Sequence, residues 1–270
     1  MSVKRTAFFS PENIYKEAAE RIRQLQQNNE VIDYITFVPD GEPTLDINLG
    51  ITIDRLKEFN IKIAVITNSS LLHDNEVVRD LMKADLVSLK IDSVFPNLWS
   101  KINRPHGVLK LKNILNGIIN FSGNFKGTLF TETMLIKGIN DSIESVYKTA
   151  EFIRQINAER SYLLVPVRPP AEESVEKPDL RDRNLAFQIF NSMLKEAGIL
   201  DYNEGVNFSY SSEVEKELLS ILAVHPMRQD AIKEFLARSN SSWDLISMLI
   251  NEEILRTEEY SGNTFYVKNN

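Results

Sequence analysis

In this sequence, polar residues capable of chemistry recur where short apolar runs end, the points at which a buried strand gives way to a loop that can meet a ligand. The run 34–38 leads into Pro39-Asp40-Gly41-Glu42-Pro43-Thr44, and the run 61–66 into Thr67-Asn68-Ser69-Ser70. Lys90 and Asp92 close the segment 85–91, Glu132 lies between Thr131 and Thr133 in the segment 128–136, and Arg168 follows the segment 162–165. Turns favour Asn, Asp, Gly and Ser, so propensity alone accounts for any one cluster. Five at equivalent places are harder to attribute to it. Lys90 and Glu132 stand in otherwise apolar strands and need partners if they point inward. Glu42 stands out further: Gly41 lets the backbone turn and Pro43 stiffens it, which would hold a carboxylate at a fixed place over the strand ends.

Other chemistries are excluded or weak. There is no cysteine, which removes disulfides, thiolate nucleophiles and cysteine-held zinc or iron–sulfur centres within the chain. His73, His106 and His225 are too scattered to suggest a metal triad, and none is assigned a catalytic role. No Gly-x-Ser-x-Gly elbow and no glycine-rich phosphate loop occurs. Arg104-Pro105-His106-Gly107 is a loop of the kind that can bind an anion.

The elements that must position these groups alternate. Residues 34–38, 61–66, 85–91, 128–136 and 162–165 read as five strands, and residues 75–82, 96–102, 109–121, 142–156 and 181–196 as helices, with a further helix from 46 or 48 to 59. Before them, Ser10 caps a helix that begins at Pro11 and carries Ile14, Ala18, Ile22 and Leu25 on one stripe. Such alternation predicts a parallel sheet with right-handed crossovers, in a barrel or an open α/β sheet. A parallel unit that opens on its helix suggests a missing first strand. The longest loop, 167–178, holds three prolines. From about 211 the pattern becomes three short helices at 214–224, 228–238 and 242–251, then a hairpin of 254–260 and 264–268 around Ser261-Gly262-Asn263, the order of a winged helix. The expected domains are 1–210 and 211–270.

The 270 residues, 43% of them hydrophobic, suffice for one large core and a small second one. The net charge of −7 disfavours a nucleic-acid or anionic-membrane surface spread over the whole chain. No apolar run approaches the roughly 18 residues of a membrane span, and residues 1–5 lack the apolar stretch of a secretory signal. The expected location is the cytoplasm, without a membrane partner.

Residues 37–44, 66–72, 88–92, 102–107, 131–135 and 137–141 together resemble the radical S-adenosylmethionine (SAM) superfamily, in the subgroup of wyosine-synthesis and pyruvate formate-lyase activating enzymes. The likeness runs over about residues 10–170, and the tail resembles a winged-helix appendage of some members. It implies an α/β fold, a partial (β/α) barrel here lacking its first strand, and the cofactors SAM and a [4Fe-4S] cluster that reduces it to a 5′-deoxyadenosyl radical. It also implies roles. Gly41, Glu42, Pro43 and Thr44 would form the loop that meets the methionine amino group. Asn68, Ser69, Lys90, Asp92 and Glu132 would face the methionine carboxylate or the ribose, and Val165, Pro166 and Val167 would back the adenine. The family's Cys-x3-Cys-x2-Cys loop is absent, so the chain is expected not to ligate the cluster or to generate the radical.

Several readings stand at this point. The first is a truncated or remnant radical SAM protein that keeps part of the SAM pocket, with RNA or protein as the substrate classes the resemblance implies. The second is a non-catalytic SAM-binding or protein-interaction module. The third is a winged-helix protein that binds RNA or DNA, disfavoured because residues 242–253 hold no Lys or Arg but carry Asp244, Glu252 and Glu253. A plain sugar- or phosphate-binding barrel ranks last. The unpaired edge left by a missing strand leads us to expect self-association.

Overall fold

The computed structural model describes residues 2–27, 29–38, 41–170, 172, 174–201 and 214–269. Pro39 and Asp40 of the first polar turn, and the expected boundary at 210 and 211, lie outside the described residues. The chain forms two compact units, residues 1–164 with 178–200, and residues 165–177 with 201–270.

The first unit opens on α1 (Pro11–Gln27), whose first turn is closed by Asn13 and Ile14 amides donating to the Ser10 carbonyl at 3.0 and 3.1 Å. Strands and helices then alternate: β1 (Tyr34–Phe37), α2 (Leu49–Leu56), β2 (Lys62–Thr67), α3 (Asn75–Leu81), β3 (Leu86–Lys90), α4 (Pro96–Asn103), α5 (Leu111–Asn124), β4 (Thr128–Met134), α6 (Ile143–Gln155), β5 (Arg160–Leu164), α7 (Leu180–Met193) and β6 (Ala197–Leu200). All six strands are parallel and pair in the order in which they occur, so each crossover steps to the next neighbour. Crossovers of constant hand place successive helices on one face of such a sheet. The core is made of Ile63, Val65, Val87, Leu89 and Leu163 from the strands and Ile53, Leu56, Leu81, Phe121, Ile153 and Phe190 from the helices. Each such side chain contributes about 1.5–3 kcal/mol through its removal from water.

The other face of the sheet is more open. Along β4, Leu129, Thr131 and Thr133 are buried, while Phe130, Glu132 and Met134 are half-buried. The register sets Lys90 beside Glu132 and Glu132 beside Tyr162, so these three share that open face.

The sheet has six strands where the sequence suggested five. The missed strand, β6, is four residues long and contains Gly198, which weakens any periodic signal. Its glycine has a packing reason: a Cβ there would stand 2.9 Å from the Tyr162 ring. The helix expected from 46 or 48 to 59 is α2 flanked by two single 3-10 turns, Pro43–Leu45 and Lys57–Phe59.

The second unit holds α8 (Val214–Val224), β7 (Met227–Arg228), α9 (Gln229–Arg238), α10 (Asp244–Asn251), β8 (Leu255–Tyr260) and β9 (Asn263–Lys268). Its sheet is antiparallel in the order β7-β9-β8. Ser261 and Gly262, at φ 49° and 75°, turn the β8–β9 hairpin as a two-residue loop requires. The two-residue β7 was not foreseen, being too short to show a period. Leu218, Ile232, Phe235, Ile246, Leu249 and Leu255 form this unit's own core. Among the described residues, no helix is long and apolar enough to cross a membrane.

Candidate functional site

In the first unit, the polar turns that follow β1, β2, β3 and β4 all leave the C-terminal ends of parallel strands, where ligands of open α/β sheets bind. Two carboxylates organise them.

Glu42 caps the 3-10 turn Pro43–Leu45. Its Oε1 accepts from the Thr44 amide at 3.2 Å, the Thr44 hydroxyl at 2.7 Å and the Thr67 hydroxyl at 2.6 Å, and its Oε2 accepts from the Asn68 amide at 2.7 Å. The sequence led us to expect a carboxylate presented over the strand ends. Instead the carboxylate turns inward and ties the turn after β1 to the turn after β2. What remains open is the backbone beside it: Gly41 has φ 140°, and a Cβ built there would meet no atom within 4 Å. Thr44 is buried at 1% exposure. Ser69 is also buried, in the left-handed region at φ 66°, with its amide donating to the Thr67 hydroxyl at 3.1 Å and its own Oγ without a partner.

Asp92 is the second hub, with its side chain fully buried. Its Oδ1 accepts from Lys90 Nζ at 3.1 Å and from the Met134 amide at 2.8 Å, and its Oδ2 accepts from Asn103 Nδ2 at 2.7 Å. The hub therefore joins the end of β3 to the end of β4 and to the last residue of α4. Asn140, 1% exposed, donates to the carbonyls of Asp92 and Met134, both at 2.8 Å, and accepts from the Ile136 amide at 2.8 Å. Glu132 accepts from the Ser88 hydroxyl at 2.6 Å.

A cavity of about 340 Å³ opens between these turns and the α4–α5 connection. Gly41, Glu42, Asn68 and Ser70 contribute to one part of its wall, and Trp99, Asn103, Pro105, His106 and Leu109 to another. Asn103 was not singled out from sequence, nor was Asn140. Both stand in stretches that carry the resemblance, but nothing in a linear pattern says that one amide will bridge to Asp92 or that the other will brace three backbone groups.

Val165, Pro166 and Val167 fall in the second unit. There Val165 is buried, and the Pro166 carbonyl accepts from the Tyr260 hydroxyl at 3.3 Å. Arg168 belongs to the same unit, where burial lowers its pKa, and burial together with the Arg168 charge lowers that of His225.

A [4Fe-4S] cluster is held by cysteine thiolates. The chain has none, and the described residues contain no group of three His, Asp or Glu placed to take a metal. The residues present do not fit the cluster. A polar organic ligand fits better: the cavity lies beside open backbone at Gly41 and is lined by the polar residues Glu42, Asn68, Ser70 and Asn103.

No known family profile matches the sequence. The chain is 46% identical over 270 residues to a UPF0026 protein of Methanocaldococcus jannaschii, covering 99% of this chain and 84% of that protein. A domain of a pyruvate-formate lyase-activating enzyme from Bacteroides vulgatus superposes with a TM-score of 0.50 at 22% identity, covering 62% of this chain and 98% of that one. A radical SAM methyltransferase from Sphaerobacter thermophilus superposes with a TM-score of 0.59 at 18% identity, covering 73% of this chain and 59% of that one. The parallel sheet with its helices is thus a fold shared with radical SAM enzymes.

Proposed function

We propose a function from the premise that this chain belongs to the UPF0026 family: it carries the SAM-binding part of a radical SAM protein, and it does not generate the radical by itself. The observation that carries this reading is the Glu42 hub, which spends its carboxylate on holding two strand-end turns and leaves the Gly41 backbone open at a cavity. Backbone groups at Gly41 and Glu42, together with Asn68, would hold the amino-acid end of SAM, and Lys90 and Glu132 on the open face of the sheet would serve its carboxylate and ribose. Pro43 and Thr44 shape the loop, and Ser69 and Asp92 support it. The chemistry that SAM would supply, beside a reduced cluster, is radical generation. The thiolates for such a cluster would have to come from another segment or another chain, since these 270 residues contain no cysteine.

The free edge of β1 supports a further part of the reading, that a preceding strand completes the barrel there. The order helix, short strand, two helices and hairpin in the second unit supports the winged-helix reading of the tail. Within it, α10 carries no Lys or Arg, which favours a protein-contact role over the reading of DNA.

Isothermal titration with SAM tests the proposal. Saturable heat is expected at micromolar to millimolar ligand, with Gly41→Val weakening it at least about tenfold, roughly 1.4 kcal/mol. Absence of heat at about 1 mM SAM would refute the retained site.

A further inference from the structure

The extended segment before α1 reaches the same 3-10 turn, Pro43–Leu45, that Glu42 caps, and Thr6 forms a parallel bridge with Asp46 there. The Thr6 amide donates to the Leu45 carbonyl at 3.0 Å, and the Ile47 amide donates back to the Thr6 carbonyl at 3.1 Å. Arg5 takes the carbonyls on either side. Its Nε donates to the Thr44 carbonyl at 3.0 Å and one terminal nitrogen to the Asp46 carbonyl at 2.9 Å. Three successive carbonyls at the C-terminal end of the turn, where a helix leaves its acceptors without partners, are therefore met by residues 5 and 6. Glu42 holds the other end through the Thr44 amide.

The Arg5 side chain is only 10% exposed, and a cation so placed is costly unless it is paired. The terminal nitrogen that meets Asp46 also donates to the Asp80 carboxylate on α3, and the other lies 3.6 Å from the Glu76 carboxylate. Asp80 has its room because residue 50 on α2 is glycine: a Cβ there would collide with the Asp80 carboxylate. A planar fork of donors serves two carbonyls and a carboxylate at once, which a lysine ammonium on a flexible stem does not reproduce. Close by in the chain, Ser2 and Val3 contribute to the wall of the cavity that Gly41 and Glu42 also line. The turn and this part of the wall thus share one anchor.

We propose that Arg5 is a positioning residue of the ligand site. It clamps the C-terminal end of the Pro43–Leu45 turn, so that Glu42 keeps its reach to Asn68 and Gly41 stays open at the cavity, and it anchors the segment that sets Ser2 and Val3 on the wall. What the site binds rests on the SAM reading; the clamp does not.

Two measurements on the whole chain test it. Amide exchange, followed by NMR without ligand, reads the clamp. Arg5→Lys and Arg5→Gln are each expected to speed exchange at Thr44, Asp46 and Asn68 at least about fivefold, with α5 and α6 unchanged. Asn68 is the informative position, because its amide donates to Glu42 and Arg5 acts on it only through the turn. Calorimetric titration with SAM reads the positioning. Arg5→Lys keeps a charge for Asp80 but loses the fork, and should weaken SAM at least about fivefold. Asp80→Asn removes the counter-charge and leaves both carbonyl bonds, so it should lower the melting temperature yet move SAM affinity less than about twofold. Unchanged exchange in both Arg5 variants overturns the clamp. Faster exchange with SAM affinity kept within about twofold overturns the positioning role and leaves Arg5 a structural ion pair, as does an equal loss of affinity in Asp80→Asn. No heat from the unsubstituted chain sinks the SAM reading by itself, and the Asn68 exchange rate then decides whether Arg5 positions the cavity turns.

Discussion

Glu42 and Asp92 perform the same task in different surroundings. Each carboxylate is filled by hydrogen bonds from its own chain, and each ties the end of one strand to the next segment that leaves the sheet. Asp92 does so with its side chain at 0% exposure and with Lys90 as counter-ion. Glu42 does so, among the described residues, with neutral donors only, on the wall of a cavity that water can enter. Burial decides what each hub is for. A dry hub cannot be replaced by solvent, so its loss falls on the fold; a wet hub can be, so its loss falls on the shape of the site.

Substitution separates the two. Asp92→Ala strands Lys90 Nζ, Asn103 Nδ2 and the Met134 amide, and is expected to cost about 3 kcal/mol, read as a lower urea midpoint at unchanged slope. Glu42→Ala should cost less, about 2 kcal/mol by the same measurement, because water can reach the freed Thr and Asn68 donors. Yet it should weaken SAM at least about tenfold, read by titration, since the turn at Gly41 is no longer held. Equal losses of stability in the two variants would break the contrast. Ser69→Gly should move the smallest amount and in the other direction, a gain of about 1 kcal/mol in thermal unfolding. It relieves a left-handed non-glycine and removes an unpartnered hydroxyl close to the Glu42 hub.

Much of the scaffold was legible in the residues. Apolar runs such as Val87 and Leu89 in β3, and the stripe of Val146, Ala150 and Ile153 in α6, are periodic over enough positions to mark their elements. β6 and β7 were not legible, because four residues with a glycine, or two residues alone, carry no period and exist only through a neighbour's hydrogen bonds. The polar turns were legible as places. Asn68, Glu42 and Asp92 were expected near a site, and the strand ends after β1, β2, β3 and β4 hold them. Asn103 and Trp99 were missed because their proximity to the first two turns depends on how α4 returns across the strand ends.

The sequence by itself determined the alternation of strand and helix, the absence of thiolates, and the strand ends at which polar groups would gather, since composition and periodicity are local properties of the chain. Only the tertiary structure decided that Glu42 turns inward rather than outward, that Asp92 is buried beside Lys90, and that Asn103 keeps one acceptor unmet. Those outcomes depend on which donors from distant segments arrive within about 3 Å, and that is a property of packing.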